Sequence, residues 1–316
     1  MGVRYFEVRF APQLLAVPGS LSMQQILQAV NAGLDRATEE WNAAAAIQSG
    51  EEPEYAYGII VCAMRYFTPA FSPYYAAFWE LQAREDPHRV YGMASMALVT
   101  EAVTMRDMGV PIVALDIAGA ERGYPASDHI DAFAYAHKHF LHKTVHAGEG
   151  YGPASIYQAL TDCHAERIGH GFHVFDASRV EHMKGEPAQR YVEQLCQYLG
   201  TMRICLEVCL SSNLQTIPEM QGDVTQHPIR KMLDAKLAVA LCTDNMTVSR
   251  TTLVQELELA MTKLHLTAPQ LKDIILTGFK RSFMPRPYVA KREYTHRIIA
   301  YYERVWAAAE ATLSSS

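Results

Sequence analysis

The sequence predicts an α/β fold, a TIM (β/α)₈-type barrel that is incomplete at its amino end, on three observations. Strand-like runs alternate with helical runs along the chain. Most of the strand-like runs are continuously apolar, as expected of a parallel sheet covered on both faces. Each run ends in polar residues, and the carboxyl ends of the strands are where such a barrel carries its chemistry. Seven runs are counted against the eight of a closed barrel, and residues 1–316 are read as one domain. A doubly wound open sheet shares the alternation, but no glycine-rich dinucleotide turn follows a first strand.

The elements follow in order. Tyr5 to Pro12 alternates as a strand and closes on a proline that cannot continue a ladder, which puts Glu7 and Arg9 on one face. After a serine cap, Ile26, Val30, Leu34 and Ala37 recur at helical spacing from Ser22 to about Trp41. Gly58 to Arg65 is the second strand, and helical pattern resumes near Tyr74, breaks at Asp86-Pro87 and runs again from about Ala94 to Met108. Pro111 to Glu121 is the third strand, ending in a polar turn, and Asp128 to Phe140 is a helix. Lys143 to Gly150 forms the fourth strand and its turn, where Gly148 lets the backbone bend so that His146 and Glu149 point into one pocket. Helix Ala154 to Cys163, strand Glu166 to His173, helix Gln189 to Leu199, strand Arg203 to Asn213, helix Pro228 to Ala235 and strand Leu237 to Asn245 complete the alternation. Leu253 to Leu264, Ala268 to Phe279 and Tyr288 to Ala309 are the closing helices.

Composition narrows the function. A net charge of -6 with no basic cluster argues against nucleic acid, and the 49% hydrophobic content supports one large core. No run of eighteen apolar residues is present, and Met1-Gly2-Val3-Arg4-Tyr5-Phe6 is neither a signal peptide nor a myristoylation site. The expectation is a cytoplasmic protein with a small-molecule partner and no membrane association, its oligomeric state open. The six cysteines contain no C-x-x-C pair and read as small buried hydrophobes.

Successive strands deliver His146, Glu149, His170 and Asp244 to one rim. Nitrogen and carboxylate donors suit zinc, and zinc lowers the pKa of a bound water to about 7. A further histidine and carboxyl group can then move protons. Singly, each of these residues is as well explained by a surface or core role; their ordered set is what points to hydrolysis.

That ordered set resembles the adenosine deaminase family. The residues that carry the likeness are Glu7-Val8-Arg9-Phe10-Ala11-Pro12, Asp116 to Glu121, His146-Ala147-Gly148-Glu149, Gly169 to His173, Glu207 to Asn213 and Thr243-Asp244-Asn245. The resemblance implies deamination of adenosine or deoxyadenosine by a water activated on Zn2+. It implies His146 and Asp244 as metal ligands, with Asp244 also taking a proton from the water. Glu149 is implied to protonate purine N1, His170 to orient the water, and the Gly119 amide to contact N3. In that role Glu149 must be neutral at working pH, a state that an apolar pocket would favour. Asn245 stands where many relatives have a second aspartate, and its amide can donate to N7. His173, Asp116 and Glu207 are expected to play supporting roles.

The family's first strand carries a His-x-His pair that supplies two more ligands, and the sequence is read as starting after it. His137-Lys138-His139 is no substitute, because helical residues two apart face different sides. Weak metal binding and impaired turnover are therefore expected. A non-catalytic barrel that binds a nucleoside or a partner, deamination of another 6-aminopurine such as adenine, and another metal hydrolase chemistry stay open. The zinc deaminases marked by P-C-x-x-C are excluded.

Overall fold

A computed structural model describes residues 2–314. Among the described residues there are seven strands: β1 (Tyr5–Phe10), β2 (Ala56–Met64), β3 (Ile112–Ala118), β4 (His142–Ala147), β5 (Arg167–His170), β6 (Cys205–Val208) and β7 (Ala238–Leu241). They form one sheet in sequence order, every neighbouring pair parallel, with helices in the connections. β1 and β7 each pair with one named strand, so the barrel is open between them.

The two faces of the sheet differ in chemistry. Tyr57, Ile59, Val61, Leu115, Ile117, Val145, Ile168, Leu206 and Val239 pack against helical Leu98, Phe133, Ile156, Leu199 and Met232 in the main core. The alternate residues face inward, and there the strands carry polar and ionisable groups: Glu7, Arg9, Asp116, Thr144, His146, Arg167 and Glu207. Arg9 on β1 lies 2.5 Å from Glu207 on β6 and 3.1 Å from Asp116 on β3. In a flat sheet β1 and β6 would stand about 24 Å apart at the usual ~4.8 Å per strand, so this contact measures the curl. Arg167 closes a second crossing, with Nε 2.6 Å from Glu207 and Nη2 2.6 Å from Glu7. Glu7 in turn accepts the Phe283 amide at 2.6 Å, and the Phe283 ring lies under the Arg167 guanidinium at 3.8 Å. The carboxyl-terminal segment is thereby tied to the floor of the barrel.

Local sequence explains the element boundaries. Ser22 and Gln25 form a reciprocal capping box at the start of helix Met23–Asn42. Asp86-Pro87, expected to break a helix, starts one: the Asp86 carboxylate accepts the His88 and Arg89 amides, and proline occupies the first turn, where no amide partner is needed. The helix therefore runs Pro87–Asp107, not from Ala94. The strand expected over Arg203 to Asn213 ends at Val208, and Leu210–Thr216 is helical. That turn of helix brings Ser212 to Asp244 at the barrel mouth and sets Asn213 behind His170. Cys62, Cys163, Cys205 and Cys209 are buried and all six cysteines are free. Among the described residues no helix is long and apolar enough to cross a membrane.

His129 lies completely buried, with its Nδ1 2.8 Å from the Ser95 hydroxyl. Burial, aided by the charge of Arg65, pushes its pKa down from 6.5 to about 3. Between those values the unfolded chain binds the extra proton, so stability falls as pH is lowered through this window. His129→Gln is expected to flatten the fall of the urea midpoint between about pH 6.5 and pH 5. Equal slopes for the two proteins would remove His129 from the acid response.

Candidate active site

Five backbone positions at the mouth have left-handed geometry: Gly119 (φ 116°), Gly148 (72°), His170 (63°), Gly171 (64°) and Asp244 (52°). For glycine this is ordinary; for His170 and Asp244 it is strain held by the surroundings, of the kind that collects at functional sites. At Gly148 a β-carbon would also lie 2.7 Å from Ile156 Cδ1, so the turn after β4 requires glycine twice over.

These bends bring the residues singled out in the sequence to one end of the sheet. The His146 and His170 rings have centroids 5.1 Å apart. His170 Nε2 lies 3.5 Å from Glu149 Oε2, and the other oxygen of Glu149 accepts the Thr216 hydroxyl at 2.7 Å. Asp244 Oδ2 accepts the Ser212 hydroxyl at 2.7 Å. Gly119 follows β3 beside Arg65, whose Nη2 donates to the His146 carbonyl at 2.7 Å. Asn245 is exposed, and its Oδ1 accepts the Thr247 and Val248 amides, leaving the amide nitrogen free to donate outward. The surroundings of Glu149 are polar, not the apolar pocket that would favour its neutral form: its side chain is 25% exposed, beside a hydroxyl and an imidazole. The reason is the Leu210–Thr216 helix, which brings Thr216 to the carboxylate.

Electrostatics separates the two central histidines. Burial works against charge on His146, but Asp116, with Oδ2 2.9 Å from Nδ1, prevails and raises its pKa. His170 has its pKa lowered, chiefly by burial, with His146 adding to the effect against Glu149. At Asp244 burial is outweighed by the Ser212 hydroxyl and the nearby histidines, which lower its pKa. Glu207 is likewise held low despite burial, by Arg9 and Arg167.

By type, His146 and Asp244 are metal donors, and a carboxylate on Nδ1 of a histidine is the usual arrangement behind a ligand. As a set they fall short. Catalytic zinc takes three protein ligands, and among the described residues no three His, Cys, Asp or Glu are grouped to hold a metal. His137 and His139 do not help: His137 stacks on His164 and His139 on Tyr135. His173 is buried past the end of β5, with Nδ1 3.7 Å from Asp176.

The family model described as adenosine deaminase matches residues 88–301. The chain belongs to the adenosine deaminase family. Adenosine deaminase 1 of Streptomyces coelicolor is 31% identical over 294 residues, covering 90% of this chain and 61% of that protein. The chain thus spans about three fifths of that relative's length. Among solved structures, an amidohydrolase from Burkholderia ambifaria with bound Zn superposes with TM-score 0.68 at 19% identity, covering 99% of this chain and 71% of that one. Arabidopsis ADAL complexed with IMP gives TM-score 0.66 at 23% identity, covering 95% and 73%.

Two supports escaped the reading of the sequence. One is Glu121, whose carboxylate accepts the amides of Gly148 (2.9 Å), Glu149 (2.7 Å) and Gly150 (2.8 Å) and the Ser155 hydroxyl (2.6 Å). Its signals were its place at the polar end of the third strand and in the run Asp116 to Glu121 that carries the family likeness, neither of which gave it a role. The other is a buried chain behind His170, formed by Asn213 and His227. All four partners of Glu121 are donors, so Glu121→Gln turns an NH2 toward two of them. Its expected cost is about 2–4 kcal/mol in urea unfolding, against about 1 kcal/mol for Ser155→Ala. Equal stability of E121Q and wild type would show that the loop does not depend on this carboxylate.

Proposed function

We propose that the chain carries the reaction end of a hydrolase that deaminates adenosine or deoxyadenosine to the corresponding inosine and ammonia. The observation that carries this reading is the approach of Glu149 and His170 to 3.5 Å at a mouth shared with His146 and Asp244. Glu149 gives a proton to purine N1, which makes C6 electrophilic. His170 holds the attacking water and Asp244 accepts its proton. The tetrahedral carbon then loses its amino group, which departs as ammonia with one of the water's protons. The other water proton restores Glu149, so the product keeps oxygen at C6 and hydrogen at N1. The Gly119 amide faces N3, and the amide nitrogen of Asn245 donates to N7.

Zn2+ is the metal proposed, with His146 and Asp244 as two of its ligands. Zinc in the Burkholderia relative and the donor types here support it, and the incomplete donor set predicts weak retention. The gap between β7 and β1 is where an added strand could bring further imidazoles to the same mouth. The incomplete donor set equally favours a second reading, a barrel that binds a purine nucleoside without turning it over.

Metal analysis of the chain as given, beside one extended ahead of residue 1 by a strand bearing His-x-His, tests the ligand assignment. Little zinc in the first and about one ion per chain in the second is expected; little in both would sink it. In the zinc-loaded protein, Glu149→Gln is expected to lower turnover of adenosine by about 10²- to 10⁴-fold with zinc retained. Purine binding without turnover in the zinc-loaded protein would favour the second reading.

A further inference from the structure

Behind His170 runs a chain of hydrogen bonds whose direction is set at its far end. The Ile229 backbone N–H points at His227 Nδ1 at 3.1 Å. A backbone amide can only donate, so Nδ1 of His227 carries a lone pair. His227 is 3% exposed and burial, together with the charge of His170, pushes its pKa down to about 3, so its single proton sits on Nε2. That nitrogen lies 3.2 Å from Asn213 Oδ1 and donates to it. The orientation of the Asn213 amide then follows: its nitrogen faces His170 Nδ1 at 3.1 Å and donates. Asn213 is fully buried and held on the Leu210–Thr216 helix, and the Phe172 ring packs edge-on against His227 at 5.3 Å.

We infer that this relay, Ile229 N–H to His227 to Asn213, fixes His170 in the tautomer with its proton on Nε2, so that His170 enters the reaction as a hydrogen-bond donor and not as its base. Asn213 and His227 are positioning residues, neither of them reaching the mouth. The tautomer stands on the hydrogen bonds alone, whereas its part in the reaction rests on the function proposed above. Nε2–H faces the Glu149 carboxylate and the place assigned to the attacking water. A donor there steadies negative charge on the incoming oxygen; a bare nitrogen would compete with Asp244 for the water's proton.

The test is two-dimensional ¹H–¹⁵N spectroscopy of the full chain with ¹⁵N-labelled histidine. The expected signature is a protonated Nε2 and an unprotonated Nδ1 for both His170 and His227 at neutral pH. A proton on Nδ1 of His170 in the wild-type protein would overturn the inference at once. Asn213→Leu removes the donor to Nδ1 and is expected to give a measurable fraction of the Nδ1–H form. His227→Phe, which frees the Asn213 amide to rotate, is expected to do the same and serves if N213L does not fold. Unchanged single-tautomer spectra in a folded variant of either kind would show that something other than the relay holds the ring. Inosine added to the wild-type protein is expected to shift the His170 Nε2–H resonance. If the tautomer is as inferred and inosine shifts nothing, the function proposed above fails and the relay stands.

Discussion

The contact between Arg9 and Glu207 governs the rest of the molecule. It joins the first strand to the sixth across the concave face, and so requires the sheet to curl. The cost of burying such charge is large unless each ion has several partners. Here each does: Arg9 also reaches Asp116, and Glu207 also meets Arg167 and accepts from the Thr144 hydroxyl. Asp116 then touches His146, so the network that shapes the sheet also sets the charge preference of a residue at the mouth. Fold and site are coupled through one set of ions, with Asp116 as the shared member.

Much of the architecture was legible because its signals are local. Continuous apolar runs such as Gly58 to Ala63 and capped helices such as Met23–Asn42 identify themselves within a few residues. The polar ends of the runs located His146, Glu149, His170 and Asp244, because a parallel barrel puts the carboxyl ends of all its strands at one mouth. Asp86-Pro87 was misread because the same dipeptide ends one helix and starts another, and only the capping contact distinguishes the two.

What escaped was non-local. Glu121 gains its meaning from amides 27 to 29 residues away, and His227 from Asn213 and through it from His170. No period or spacing encodes such pairings; they exist only once the loops are folded over the mouth. The polar surroundings of Glu149 escaped for the same reason, since Thr216 arrives on a helix that the apolar run Arg203 to Leu210 disguised as strand.

The left-handed backbone at His170 and Asp244 bears on how this site can be explored by mutation. Asparagine, aspartate, histidine and glycine tolerate such torsions, whereas β-branched and bulky residues do not. A randomised library at either position would therefore confound lost chemistry with a distorted loop. Asparagine is the informative control there, because it keeps the bend while changing the functional group.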